Sequence, residues 1–71
     1  MGRKHTLIEL FARRMREVRK AKGMNQDELG WECGLHRTYV GAIERGEGNP
    51  GLHNVERIAK ALKVPAWELL K

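Results

Sequence analysis

Between Asn25 and Gly46 the chain reads NQDELGWECGLHRTYVGAIERG, which leaves room for two short helices and one tight turn. Asn25-x-x-Glu28 has the form of a capping box, and Met24 just before it can staple onto Leu29. Gly34 breaks this helix after Cys33. The next helix begins around His36, where Leu35 can staple onto Val40. Gly46 closes it just after Arg45, a cation suited to the negative end of a helix. Helices this short hold only when packed on something, so the rest of the chain must brace them.

The flanking sequence supplies such a brace. Thr6-x-x-Glu9 has the form of a second capping box, and Ile8, Phe11, Met15 and Val18 recur at steps of three and four. With Gly23 as a left-handed terminator, this predicts helix 1 over about residues 7–22. Glu47-Gly48-Asn49-Pro50-Gly51 is a loop by composition. Helix 4 follows, with Leu52, Val55, Ile58, Ala59 and Leu62 on one face and Gly51 as a fair N-cap. Val64-Pro65 ends that pattern, and Pro65 suits the first turn of a last short helix, Ala66 to Leu70. There is no sign of strands, repeats or linkers. The expectation is an all-α, compact five-helix domain spanning residues 1–71, with a helix-turn-helix at about 25–46.

Composition narrows the function classes. Seventy-one residues bury a modest core, and 41% hydrophobic with 32% charged residues is a globular balance. No apolar run approaches the roughly 20 residues of a membrane span, and the opening MGRKHTLIEL lacks a secretion signal's apolar stretch. One cysteine, Cys33, leaves no internal disulfide and suits a cytoplasmic protein. The first 22 residues carry eight Lys/Arg against Glu9 and Glu17, a larger excess than the net +5 of the whole chain. Such an excess favours a polyanionic partner, although a basic surface kept for solubility explains it as well. Enzyme chemistry finds no support. Cys33 and His36 lack the further ligands of a zinc site, and no phosphate loop, Ser-His-Asp set or paired carboxylates occurs. No metal or cofactor is expected.

Helix 3 has two unlike faces. At about 100° per residue, Val40 and Ile43 fall on an apolar side. Arg37, Thr38 and Arg45 fall on the other, with Gly41 and Ala42 between them. A helix enters the major groove of double-stranded DNA only if nothing bulky holds it off, and its N-terminal residues meet the base edges. Arg37 can donate to guanine O6 and N7. Thr38 can bond a base or pack on a thymine methyl. Tyr39 lies at the border, either touching DNA or partly buried. Gly41 reads as groove clearance or as mere tolerance, whereas Gly30 reads as close helix packing.

Gly23-Met24-Asn25-Gln26-x-Glu28-Leu29 followed by Gly34-Leu35-x-Arg37-Thr38-Tyr39-Val40-x-x-Ile43-Glu44-Arg45-Gly46 resembles the Cro/CI-type (XRE) helix-turn-helix family. The likeness runs from about Phe11 to Leu70 and implies a lambda-repressor-like DNA-binding fold. Arg37-Thr38-Tyr39 and the short length further resemble controller proteins of restriction–modification systems. The resemblance implies that Arg37, Thr38 and Tyr39 read or grip DNA and that Gln26 binds a phosphate; Ala42 is a further base-reading candidate, and Asn25, His36, Arg45 and Asn49 are further phosphate candidates. It also implies a structural pair, Arg19 with Glu44. Two departures stand out. Glu47-Gly48 occupies a loop where such controllers often carry a basic residue, and His36 replaces the usual small or acidic N-cap, so that it either caps weakly or reaches a phosphate.

The function implied is transcriptional regulation by a homodimer on a palindromic operator, with half-sites about 34 Å apart. Trp67, Leu70 and the end of helix 4 are the interface candidates, Trp67 having a competing role in closing the core. No small-molecule ligand is expected. The rival reading is an antitoxin-type or other protein-interaction module. Trp31 supports it as an interface residue, unless its ring lies over neighbouring helices.

Overall fold

Six side chains, Met15, Leu29, Val40, Ile58, Leu62 and Leu69, are sealed from solvent. They come from every helical element of the chain. In the computed structural model, which describes residues 6–71, these elements are α1 (Thr6–Ala21), α2 (Gln26–Cys33), α3 (Arg37–Glu44), α4 (Gly51–Leu62) and a C-terminal 3₁₀ turn (Ala66–Leu70). No strand occurs among the described residues. Burying each such side chain contributes roughly 1.5–3 kcal/mol relative to leaving it in water. α2 packs on α3 and α4, and α1 packs on α3 and on the C-terminal turn. The all-α class is as expected, with four α-helices and a 3₁₀ turn standing for the five helices.

The stops and starts are local. Asn25 Oδ1 accepts from Glu28 N–H at 2.7 Å while Glu28 Oε1 accepts from Asn25 N–H at 2.8 Å, a complete capping box. Gly34 ends α2 at φ 75°, where its N–H and that of Leu35 both reach the Gly30 carbonyl. Gly30 has to be glycine for another reason, since a Cβ there would run into the Leu35 carbonyl oxygen. The cap expected at Thr6 rests on a side chain outside the described residues.

Four expectations need correction. α4 has Pro50 rather than Gly51 as its N-cap, and Asn49 Oδ1 takes the Gly51 N–H at 2.9 Å. Leu52 is 84% exposed, so the first turn of α4 lies outside the core. The last element is 3₁₀ rather than α: Pro65 enters it from extended backbone, and Glu68 N–H bonds Pro65 O at 3.0 Å. Trp67 does not close the core, being 59% exposed with Lys71 Nζ 5.2 Å from its ring centre; Leu69 does so instead.

Candidate nucleic-acid interface

α3 begins at an improvised cap. The Nδ1 atom of His36 accepts from Thr38 N–H at 3.0 Å, so the imidazole takes the part that serine or aspartate usually plays. Of the two roles expected for His36, the cap is formed. With Nδ1 engaged, the other ring nitrogen, Nε2, has no hydrogen-bond partner among the described residues. Immediately after it, Arg37 and Thr38 are exposed, and Tyr39 is 38% exposed with its hydroxyl 3.4 Å from Asn54 Nδ2. Ala42 is half-buried. The opposite side of α3, with Val40 and Ile43, is in the core as the helical spacing predicts.

Gln26, the first residue of α2, stands beside the far end of α3. Its Nε2 donates to Glu44, which also accepts from Arg19 Nε and Nη2. Arg19 in turn donates to the Met24 carbonyl at 2.8 Å, fixing the chain just before α2. The expected Arg19–Glu44 pair is therefore present and buried. It is also tied to a residue assigned to DNA contact, a link that spacing along the chain does not reveal.

Gly41 is buried. A Cβ built on it would lie 3.3 Å from Gln26 Oε1 and 3.3 Å from Arg45 Nη1. The room that Gly41 makes is bordered by side chains of this chain itself, Gln26 and Arg45. Arg45 is exposed, but both its Nε and Nη2 are engaged by Glu47, at 2.9 and 3.1 Å. That pairing holds the Glu47 carboxyl below the usual carboxylate range. Asn49 spends its oxygen on the loop, leaving only its NH₂ for another partner.

The ion pairs draw on Arg13, Arg14, Arg19, Arg45 and Lys71. Among the described residues Arg16, Lys20, Lys22, Arg37, Arg57, Lys60 and Lys63 form no ion pair. Arg16 shares a shallow depression with Arg13, Glu44 and Arg45 at the end of α3. Sequence reasoning counted it in the basic N-terminal excess without placing it there. Its signal is its position three residues before Arg19, on the same helix.

Trp31 is 86% exposed on α2, so its ring does not lie over neighbouring helices. Cys33 is buried, and desolvation pushes its thiol up from the ordinary value, as for an inert core residue.

A family model described as helix-turn-helix matches residues 15–68, the span that holds α2, α3 and α4. The chain belongs to this helix-turn-helix family. Among helix-turn-helix relatives, control protein C.BamHI of Bacillus amyloliquefaciens is 48% identical over 62 residues, covering 86% of this chain and 76% of the relative. A hypothetical transcription factor of Neisseria meningitidis is 49% identical over 64 residues, and the match spans 60% of that protein's length. The crystal structure of a hypothetical transcription factor NHTF from Neisseria superposes over the whole chain with a TM-score of 0.90 at 44% identity, covering 82% of the solved chain. The restriction–modification controller protein C.AhdI from Aeromonas hydrophila superposes with a TM-score of 0.84 at 44% identity, covering 87% of this chain and 94% of its own.

Proposed function

We propose that this protein is a sequence-specific, double-stranded DNA-binding transcriptional regulator of the restriction–modification controller type, acting as a single-domain homodimer on a palindromic or pseudo-palindromic operator. The observation that carries the reading is the exposed Arg37-Thr38 pair at the N-terminus of α3, with Gln26 fastened at the N-terminus of the neighbouring helix. Arg37 and Thr38, flanked by Tyr39 and Ala42, read base edges in the major groove. Gln26 grips a phosphate with help from backbone N–H groups at the start of α2, and Asn25, His36 through Nε2, Asn49 through its NH₂, and Arg45 add backbone contacts. The relatives named as control proteins support the restriction–modification assignment.

A lone helix-turn-helix covers too few base pairs for useful specificity, so two copies are needed. An apolar groove supports the pairing. Leu7, Phe11, Leu52, Val55 and Leu70 line it, with Leu7 and Leu52 largely exposed. Leu70 belongs to this groove, while Trp67 is not among its lining residues. The groove meets the beginning of α4, not its end, where Lys60 and Lys63 stand exposed.

A second reading, a domain whose main partner is a protein, is favoured by the exposure of Trp31. Salt separates the two, because duplex binding that neutralises several phosphates weakens steeply with added salt. The decisive experiment is selection of bound duplexes from a random pool. A palindromic consensus is expected. Recovery of no consensus, together with a salt-insensitive protein contact, overturns the DNA reading. No helix among the described residues is long and apolar enough to cross a membrane.

A further inference from the structure

We propose that Glu44 is a positioning residue for DNA binding, its buried carboxylate deciding which end of the Gln26 carboxamide faces the phosphate backbone. The inference rests on the DNA-binding reading above. Glu44 Oε1 lies 3.0 Å from Gln26 Nε2 and 2.9 Å from Arg19 Nη2, and Glu44 Oε2 lies 2.7 Å from Arg19 Nε. An ionised carboxylate only accepts hydrogen bonds, whereas a carboxamide has one donating and one accepting end of nearly the same shape. Only the NH₂ end can therefore face Glu44.

That choice matters for a polyanion. The NH₂ group has two N–H bonds, and Glu44 uses one, so the second remains for an acceptor such as a phosphate oxygen. Without Glu44 the amide is free to rotate by half a turn and present Oε1, which meets a phosphate as one acceptor meets another. Arg19 makes the arrangement tolerable. Its guanidinium matches the carboxylate's charge, so no uncompensated negative charge stands behind the N–H offered to the DNA.

Gly41 completes the seat. It is helical, so its backbone does not require glycine, and glycine weakens a helix relative to alanine. Its lack of a Cβ leaves space for Gln26 Oε1, which would otherwise lie 3.3 Å from that carbon. The amide is thus held from one side by Glu44 and accommodated on the other by bare backbone.

The test measures affinity of the full chain for the selected palindromic duplex and for a scrambled duplex of equal length, with thermal melting of every variant. Gln26→Ala is expected to weaken both duplexes by about tenfold, the loss of one charge-assisted hydrogen bond. Gly41→Ala is expected to weaken both by roughly threefold while melting no lower than the parent, because alanine favours the helix. Gln26→Ala combined with Gly41→Ala should bind no more weakly than Gln26→Ala alone. Glu44→Gln, measured at a temperature where it is folded, should show the same non-additivity with Gln26→Ala. A purely structural role for Glu44 or Gly41 makes the losses multiply, and that result overturns the proposal. An unchanged affinity in Gln26→Ala also overturns it, leaving DNA binding itself intact; failure of the parent to bind any duplex removes the function instead.

Discussion

Arg19 and Glu44 meet as two planar forks, Nε to Oε2 at 2.7 Å and Nη2 to Oε1 at 2.9 Å, with their side chains only 8% and 3% exposed. The pair joins the last turn of α1 to the last residue of α3. Bidentate geometry of this kind is the strong form of an ion pair, yet removing both charges from a protein interior is costly. Its value to the fold is asymmetric. Losing one partner strands a buried charge, whereas replacing both with apolar side chains need not destabilise.

Arg19→Ala is accordingly expected to lower stability by about 3–5 kcal/mol. In a domain of this size that is a fall in melting temperature on the order of 15 °C or more, measured by circular dichroism. Sequence preference, scored at a temperature where the variant is folded, should be unchanged. Replacing Arg19 with Met and Glu44 with Leu together should restore much of the stability while leaving duplex affinity low. A double variant that binds DNA like the parent would show that the pair serves the fold alone.

Most of this architecture was legible in the chain because it depends on short-range chemistry. The Asn25–Glu28 box, the left-handed Gly34 and the spacing of Val40 and Ile43 are each set within a few residues. What escaped was set across the chain. Glu44 reached Gln26 because α2 folds back on the end of α3, and no periodicity reports that crossing. Leu52 fits the apolar stripe of α4, but the stripe is longer than the surface available to cover it. Trp67 and Leu69 are near neighbours of which only one can enter the core, and the tight 3₁₀ winding selected the smaller. His36 lies outside the usual capping set, so residue type alone left two roles open for it, and the Nδ1 acceptor is set by the local fold.

Arg37→Ala tests the reading helix. Removing a bidentate contact to a base edge should cost roughly 1–3 kcal/mol at the cognate operator and relax the preference at one base pair. Arg37 is exposed and unpaired among the described residues, so the melting temperature should hardly move. Competition binding against a panel of single-base operator variants checks it. An unchanged cognate affinity would place the reading elsewhere on the surface.

Leu52→Glu tests the pairing face. A charge in an exposed apolar groove leaves the monomer folded but opposes burial of that groove against a second copy. Sedimentation equilibrium should show a shift toward monomer, and operator affinity should fall with it while the scrambled duplex is bound as before. A dimer of undiminished stability would move the interface away from Leu7, Leu52 and Leu70.

Lys63 ends α4 at φ 61°, a left-handed conformation that glycine adopts freely and lysine does not. Lys63→Gly should stabilise the fold by about 1 kcal/mol, raising the melting temperature by roughly 4–8 °C. The side chain is exposed, and the depressions it borders are lined by no residue of α3, so operator affinity should stay within error of the parent.

Glu47 sets a limit on the charge that the end of α3 can offer. Arg45 donates two hydrogen bonds to it, and these hold the Glu47 carboxyl below its ordinary range, so the acid remains anionic at neutral pH. Its folded value lies below its unfolded one. Whatever the exposed pair contributes to stability is therefore present above the ordinary carboxylate range and lost as the pH falls through the lowered value. For DNA the sign is opposite, since an anionic Glu47 both competes for Arg45 and repels phosphate. Glu47→Gln should tighten duplex binding several-fold at low salt and make the salt dependence steeper by about one phosphate contact, with little change in melting temperature. Arg45→Ala in the same background should abolish the gain. Were the gain to persist without Arg45, Glu47 would act by repulsion alone and not by occupying its neighbour.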